Sequence, residues 1–203
     1  MDNYEYIIAS LPVLRQEVVK DDNLVVQELL DEIRGQLSAH DAAVFDFLLE
    51  GSDPDRLNAD FYTRALQHRN RFIRDWFRFD LDLRNETVYY LNDSLGRPDD
   101  QDRILLEGRE TEEFGEIEAV RAVLNCGDIL RREGGLDNLR WHKIDELTIL
   151  DVFNLDVLLG YAAKLKIIDR WLQLDPDSGR ALFRRLVEDI RSTYDNKKQN
   201  LTI

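Results

Sequence analysis

A single cysteine, Cys126, leaves this chain no internal disulfide and no multi-cysteine zinc site. Glycine and proline are scarce, 10 and 4 in 203 residues, which argues against a turn-rich β fold. Positive charge is short as well. Against 41 Asp and Glu stand 27 Lys and Arg, a net charge of −14, so nucleic acid is not expected as a partner. No apolar run approaches the roughly 20 residues that cross a bilayer. Asp2 and Glu5 sit where a signal peptide carries positive charge. The expectation is a cytoplasmic protein without direct membrane insertion. The phosphate-binding Gly-Lys-Ser/Thr loop, the dinucleotide glycine fingerprint and the serine nucleophile elbow are all missing.

What is there points to helices. Hydrophobic residues make up 43% and charged residues 33%, the balance of a helix-rich globular protein rather than a disordered one. One stretch organises the rest. Asp55 to Leu95 contains neither Pro nor Gly, and Phe61, Ala65, Phe72, Trp76, Phe79, Leu83, Val88, Leu91 and Leu95 recur mostly three or four apart. That spacing predicts a long central helix over about 55–95. Within it, Phe77 to Arg84 alternates apolar and charged residues with the period of a strand. The helical spacing on both sides decides for a helix covered on several sides.

A short helix is expected at Tyr4–Pro12 and irregular chain over 13–23. Asn23 then caps a helix to about Gln36, and Ser38 caps the next, which Gly51 ends. Those two form a helical hairpin. Gly96 to Asp102 is the most loop-like stretch and the candidate mobile segment. A helix from Glu112 to about Arg132 follows, with Gly127 a point of interruption and Gly134-Gly135 its stop. Further helices are expected near 137–148, over Leu155–Leu174, and beyond Asp175-Pro176 along Phe183, Leu186, Val187, Ile190 and Tyr194, with a frayed tail from Asn196. The fold class is therefore all-α. It is a multi-helix bundle around the central helix with hairpins on either side, one domain over 1–203, divisible only near the loop 96–111.

Signals for chemistry are weak. None of His40, His68 and His142 has a carboxylate three residues before it, so the di-iron helix pattern is absent. His142 and Glu146 stand four apart, but two ligands alone are more often a surface pair. Asp99, Asp100 and Asp102 lack the glycine and terminal glutamate of a calcium loop. Cys126 reads as a buried thiol in an apolar helix. Asp80 and Asp82 fall on different faces of a helix, and ion pairs with Arg78 and Arg84 are expected. No catalytic set, metal or cofactor is expected.

Arg69, Asn70, Arg71, Arg74, Asp75, Arg78, Arg84 and Asn85 crowd the central helix beside its aromatics. They form either an internal network with neighbouring acids or an Arg-rich face for a partner's carboxylates. Charge is uneven along the chain: net −9 over 1–54, −7 over 97–153 and +2 over 154–203. The acidic parts are a solvating surface or a face that docks on a basic partner.

Three stretches carry a resemblance to a known family. They are Tyr4 to Pro12; Trp76 to Asn85; and Trp141 to Leu147 with Phe153 to Leu165 and Asp169-Arg170-Trp171. Together they resemble an uncharacterised bacterial family encoded among V-type (archaeal-type) ATPase genes, similar to the C-type coupling component of those ATPases (d-type in the eukaryotic enzyme). The resemblance implies an all-helical, non-catalytic subunit or assembly factor that links the rotor shaft to the membrane ring. Its partners would be V-type ATPase subunits, and it would lie peripherally at the membrane through the complex. The chain is shorter than the C-type component, which is built from three similar helical units. Arg71, Arg74, Trp76, Arg78, Arg84, Asn85, Trp141, Tyr161, Arg170 and Trp171 are the expected structural or partner-contact residues. A stand-alone regulatory or scaffold protein is the second reading, and an enzyme with a cryptic pocket the third.

Overall fold

The computed structural model describes residues 4–16, 25–109 and 113–173. Within them the chain is helical, without strands. The expected helix beyond Asp175 and the Asn23 cap lie outside the described residues. In order, the helices are α1 (Glu5–Ser10), α2 (Val26–Gln36), α3 (Ala39–Glu50), α4 (Ala59–Leu66), α5 (Arg71–Leu95), α6 (Ile117–Leu124), α7 (Ile129–Thr148) and α8 (Leu155–Gln173). A single 3₁₀ turn, Pro54–Arg56, precedes α4.

The stretch expected as one helix over 55–95 is divided. Its long part is α5, and α4 folds back upon it. The break at Gln67–Asn70 has a polar cause: Asn70 turns its side-chain oxygen to the backbone N–H of Ile73 at 2.9 Å and caps α5. At the far end Gly96 adopts a left-handed conformation, φ 63°, which glycine alone adopts without strain. The alternating segment is helical throughout. Phe77, Phe79, Leu81 and Leu83 are all buried because α4, α6, α7 and α8 pack around α5.

Other boundaries moved for similar reasons. Ser38 caps α3 as expected, accepting from the Asp41 N–H at 3.3 Å. Gly51 ends α3 with an ordinary right-handed backbone. Its smallness serves packing, since a Cβ there would overlap the Phe77 ring and reach Phe61 at 2.7 Å. Gly127 does interrupt the chain between α6 and α7. Gly134 and Gly135, expected to stop a helix, lie inside α7 instead. Gly135 lets α7 close on α6, with Val123 Cγ1 2.6 Å from where its Cβ would stand. Cys126 therefore sits half-buried in the α6–α7 connection, not inside a helix.

The loop after α5 is held against that helix by two asparagines. Asn85 brackets Ile104, donating to its carbonyl and accepting from its N–H, both at 2.9 Å. The buried Asn92 donates to the Gln101 carbonyl at 2.7 Å. The buried side chains from Tyr4 to Leu165 form one cluster. Its aromatic centre lies where α3, α4 and α5 meet: Phe61 stacks on Phe47 at 5.1 Å and meets Phe77 edge-on at 4.9 Å.

Two neighbouring glycines should respond with opposite sign. A Cβ at Gly134 meets nothing within 4 Å. Gly134→Ala should stabilise the protein by about 0.5–1 kcal/mol through better helix propensity. Gly135→Ala should cost about 1–3 kcal/mol by overpacking against Val123. Urea denaturation of the two variants measures both.

Candidate functional site

Charged residues interleave with the buried ones on α5, so each must find a partner on a neighbouring element or face solvent. The acids reach outward. Asp80 accepts from the Tyr62 hydroxyl at 2.7 Å and lies 3.8 Å from the Arg140 guanidinium of α7. Asp82 pairs with Arg109 at 3.1 Å, and Glu86 with Arg121 of α6 at 2.7 Å. The pairs expected with Arg78 and Arg84 do not form. Arg78 and Asp80 are two apart and point to different sides, and Arg78 instead lies 3.7 Å from Asp75. Burial, then the Asp80 charge and hydrogen bond, push the Tyr62 phenol far above its ordinary range.

The arginines of α5 divide into distinct tasks. Arg71 donates to the Leu147 carbonyl and to Asp151, both at 2.9 Å, and so staples the α7–α8 turn to the start of α5. Arg74 donates to the His68 and Arg69 carbonyls at 2.8 Å and closes the α4–α5 turn. Arg84 makes no hydrogen bond or ion pair among the described residues, and its Nε is shut off from solvent.

Arg84 lies in a groove of about 410 Å³. Trp76, Asp80, Arg84 and Val88 form its floor on α5. One wall comes from the α3–α4 connection and the other from α7 and α8. Behind the second wall is a polar centre on Asp137, a residue that no sequence motif singles out. Asp137 is buried and accepts from Arg140 at 3.1 Å, from Trp171 Nε1 at 2.6 Å and from Arg170. Arg170 also pairs with Glu133 at 3.4 Å. Two expected contact residues, Arg170 and Trp171, thus meet on one carboxylate. The only sequence signal for Asp137 was its three-residue spacing from Arg140 within a helix. Trp141 and Trp171 line a further cavity of about 280 Å³ that Asp137 also borders. Lys164 lies over the Trp141 ring at 4.9 Å.

Tyr161 lies apart from that groove. Its hydroxyl donates to the Pro12 carbonyl at 2.9 Å, and burial pushes its pKa up to about 12. Beyond it, the α7–α8 turn exposes four apolar side chains in five positions: Ile149 (76%), Leu150 (88%), Val152 (62%) and Phe153 (39%). A polar cleft beside them holds Asp41, Asp151 and Asp156. Burial raises the Asp156 carboxyl above its usual range, opposed by a hydrogen bond from Asn70 at 2.6 Å. His142 and Glu146 are exposed, and Glu146 instead accepts from Lys143 at 3.2 Å. No group of three His, Cys, Asp or Glu able to hold a metal occurs among the described residues. No described helix is long and apolar enough to cross a membrane.

The fold and its grooves define an all-helical protein assembled around one buried helix. The chain belongs to the family described as a protein of unknown function (DUF2764), which it matches over residues 50–90 and 110–194. That match takes in α4, nearly all of α5, and α6 to α8. No curated protein matches the chain, and no solved structure does.

Two outcomes follow from these contacts. Asp137→Ala strands three donors at once and should cost about 3 kcal/mol in urea unfolding, while Glu133→Ala at the exposed end of Arg170 should cost under about 1 kcal/mol. His68 stacks on Phe47 at 5.2 Å and its Nδ1 accepts from the Asn70 N–H at 3.1 Å. Burial holds its pKa below the ordinary imidazole value. A depressed histidine favours the folded state above its unfolded pKa of about 6.5 and loses that contribution as the pH falls through it. Unfolding free energy should therefore decline between about pH 7 and 5.5, and His68→Phe, which keeps the stack, should flatten the decline.

Proposed function

We propose that this chain is a non-catalytic helical subunit or assembly factor of a V-type ATPase, similar to the C-type coupling component, that links the rotor shaft and the membrane ring. The observation that carries the reading is the exposed apolar run at the α7–α8 turn. Four apolar side chains held out within five residues of a turn between two packed helices are the mark of a protein-docking surface. The run follows Trp141–Leu147 and ends on Phe153, the first residue of Phe153–Leu165, and both of those stretches resemble the ATPase-associated family. The mechanism is mechanical and adhesive. Turn residues seat on a neighbouring protein of the complex, Arg71 ties that turn to the central helix, and α5 transmits load through its packed neighbours.

Affinity purification of the tagged protein from its own organism at low salt should recover V-type ATPase subunits. Leu150→Glu, at a side chain that the fold leaves 88% exposed, should abolish the recovery without lowering stability. Recovery of no ATPase component while intact complexes are present in the same lysate would overturn the reading. A stable complex with other proteins in that experiment would favour a stand-alone scaffold.

A further inference from the structure

We propose that the exposed α7–α8 turn docks a protein segment carrying a lysine or arginine among apolar residues. The partner's apolar side chains cover Leu150 and its neighbours while its cation enters the acidic cleft beside them. The inference rests on the reading of that turn as a docking surface, and it holds whichever complex supplies the partner.

The turn and the cleft form one surface. Leu150 belongs to the exposed run and also lines the cleft, an open space of about 670 Å³, together with Leu155, Asp151 and Asp156. Asp151 stands within the run, between Leu150 and Val152. Tyr4 joins the two parts: its backbone N–H donates to the Phe153 carbonyl at 2.8 Å and its hydroxyl to Asp41 at 2.5 Å.

Hydrogen bonds in the cleft satisfy its carboxylates without cancelling their charge. Tyr4 donates to Asp41, Asn70 to Asp156 at 2.6 Å and Asn154 to Asp151 at 2.6 Å, and all three donors are neutral. Among the described residues that line the cleft, one guanidinium faces three carboxylates, and His40 is exposed at its edge. That guanidinium, of Arg71, lies 2.9 Å from Asp151 and 3.9 Å from Asp156. In the adjoining cavity Arg64 is paired with Glu50 at 2.7 Å and Arg69 is exposed. Asp151 and Asp156 are only 15% and 14% exposed, so water screens them poorly. Burial, then the Asp151 and Asp41 charges, raise the Asp156 carboxyl against the Asn70 hydrogen bond and Arg71. A further cation relieves that crowding.

The same charge selects the occupant. An anionic lipid surface also takes up exposed apolar side chains, but three carboxylates beside the turn and a net charge of −14 repel it. Two copies of this chain meeting turn to turn would set acidic cleft against acidic cleft. A basic residue flanked by apolar ones complements both halves of the surface, and the attraction steers it there.

The test follows the Ile149 methyl of the ¹³C-methyl-labelled full chain by NMR, assigned by the signal lost in Ile149→Val. The probes are an amphipathic peptide whose single charge is a lysine in its leucine face, and its glutamine counterpart. The lysine peptide should shift the Ile149 signal saturably and bind roughly five- to ten-fold more tightly than the glutamine peptide. Asp156→Asn keeps an oxygen acceptor for Asn70. In that variant, at unchanged melting temperature, the preference for lysine should fall at least about two-fold. Equal binding of the two peptides to the unaltered chain, as a cation supplied by the chain itself would give, would overturn the proposal. The docking reading would then stand if Leu150→Glu abolished both. An undiminished preference in Asp156→Asn would also overturn it, as would binding that leaves Ile149 unshifted. Binding of neither peptide up to millimolar concentration would do the same, with the affinity purification of Leu150→Glu deciding the docking reading separately. Vesicles of phosphatidylglycerol and phosphatidylcholine that shift Ile149 where the lysine peptide does not would replace the partner protein with a membrane surface.

Discussion

Covering α5 on several sides is the constraint from which the other features of the fold follow. A helix with apolar side chains at alternate positions cannot leave one face to solvent, so α4, α6, α7 and α8 all pack on it. The charged residues between those apolar ones are then drawn toward the interior. Their desolvation must be offset locally. Asp80, Asp82 and Glu86 therefore pair with Arg140, Arg109 and Arg121, which belong to three different neighbours. Each pair fixes how one neighbour sits on α5.

The same constraint explains the small residues. Gly51, Gly135 and Gly160 stand where a helix or turn approaches its neighbour too closely for a Cβ. At Gly160 the Thr148 and Ile144 methyl groups would lie 2.8 and 3.1 Å away, which draws α8 tightly onto α7. Residues that look like helix breakers along the chain are contact points in three dimensions.

Polar organisation then separates into two regions with different work. Around Asp137, three donors converge on one carboxylate and lock α7 to the end of α8. At the opposite side, Arg71 and Asn70 tie the α7–α8 turn to the start of α5 and leave Ile149, Leu150, Val152 and Phe153 facing outward. A rigid base beneath an exposed apolar turn allows docking with little loss of conformational freedom. Arg84 lies beside the first region, in the groove that α7 and α8 wall.

The helices were legible in the sequence because apolar spacing and capping act over a few residues. Ser38 before α3, Asn154 before α8 and the glycine after α5 mark boundaries through hydrogen bonds or backbone freedom within one turn. The periodicity of 77–84 was ambiguous alone, and the length of helical spacing around it resolved the ambiguity. What the sequence could not hold was the choice among partners. Asp80 had Arg84 one turn away and pairs with Arg140 sixty residues on. Asp137 looked like one acid among many and became the meeting point of Arg140, Arg170 and Trp171. Local spacing sets which residues form a helix. Which side chains lose water, and which charges must then find one another, depends on helices brought together from distant parts of the chain.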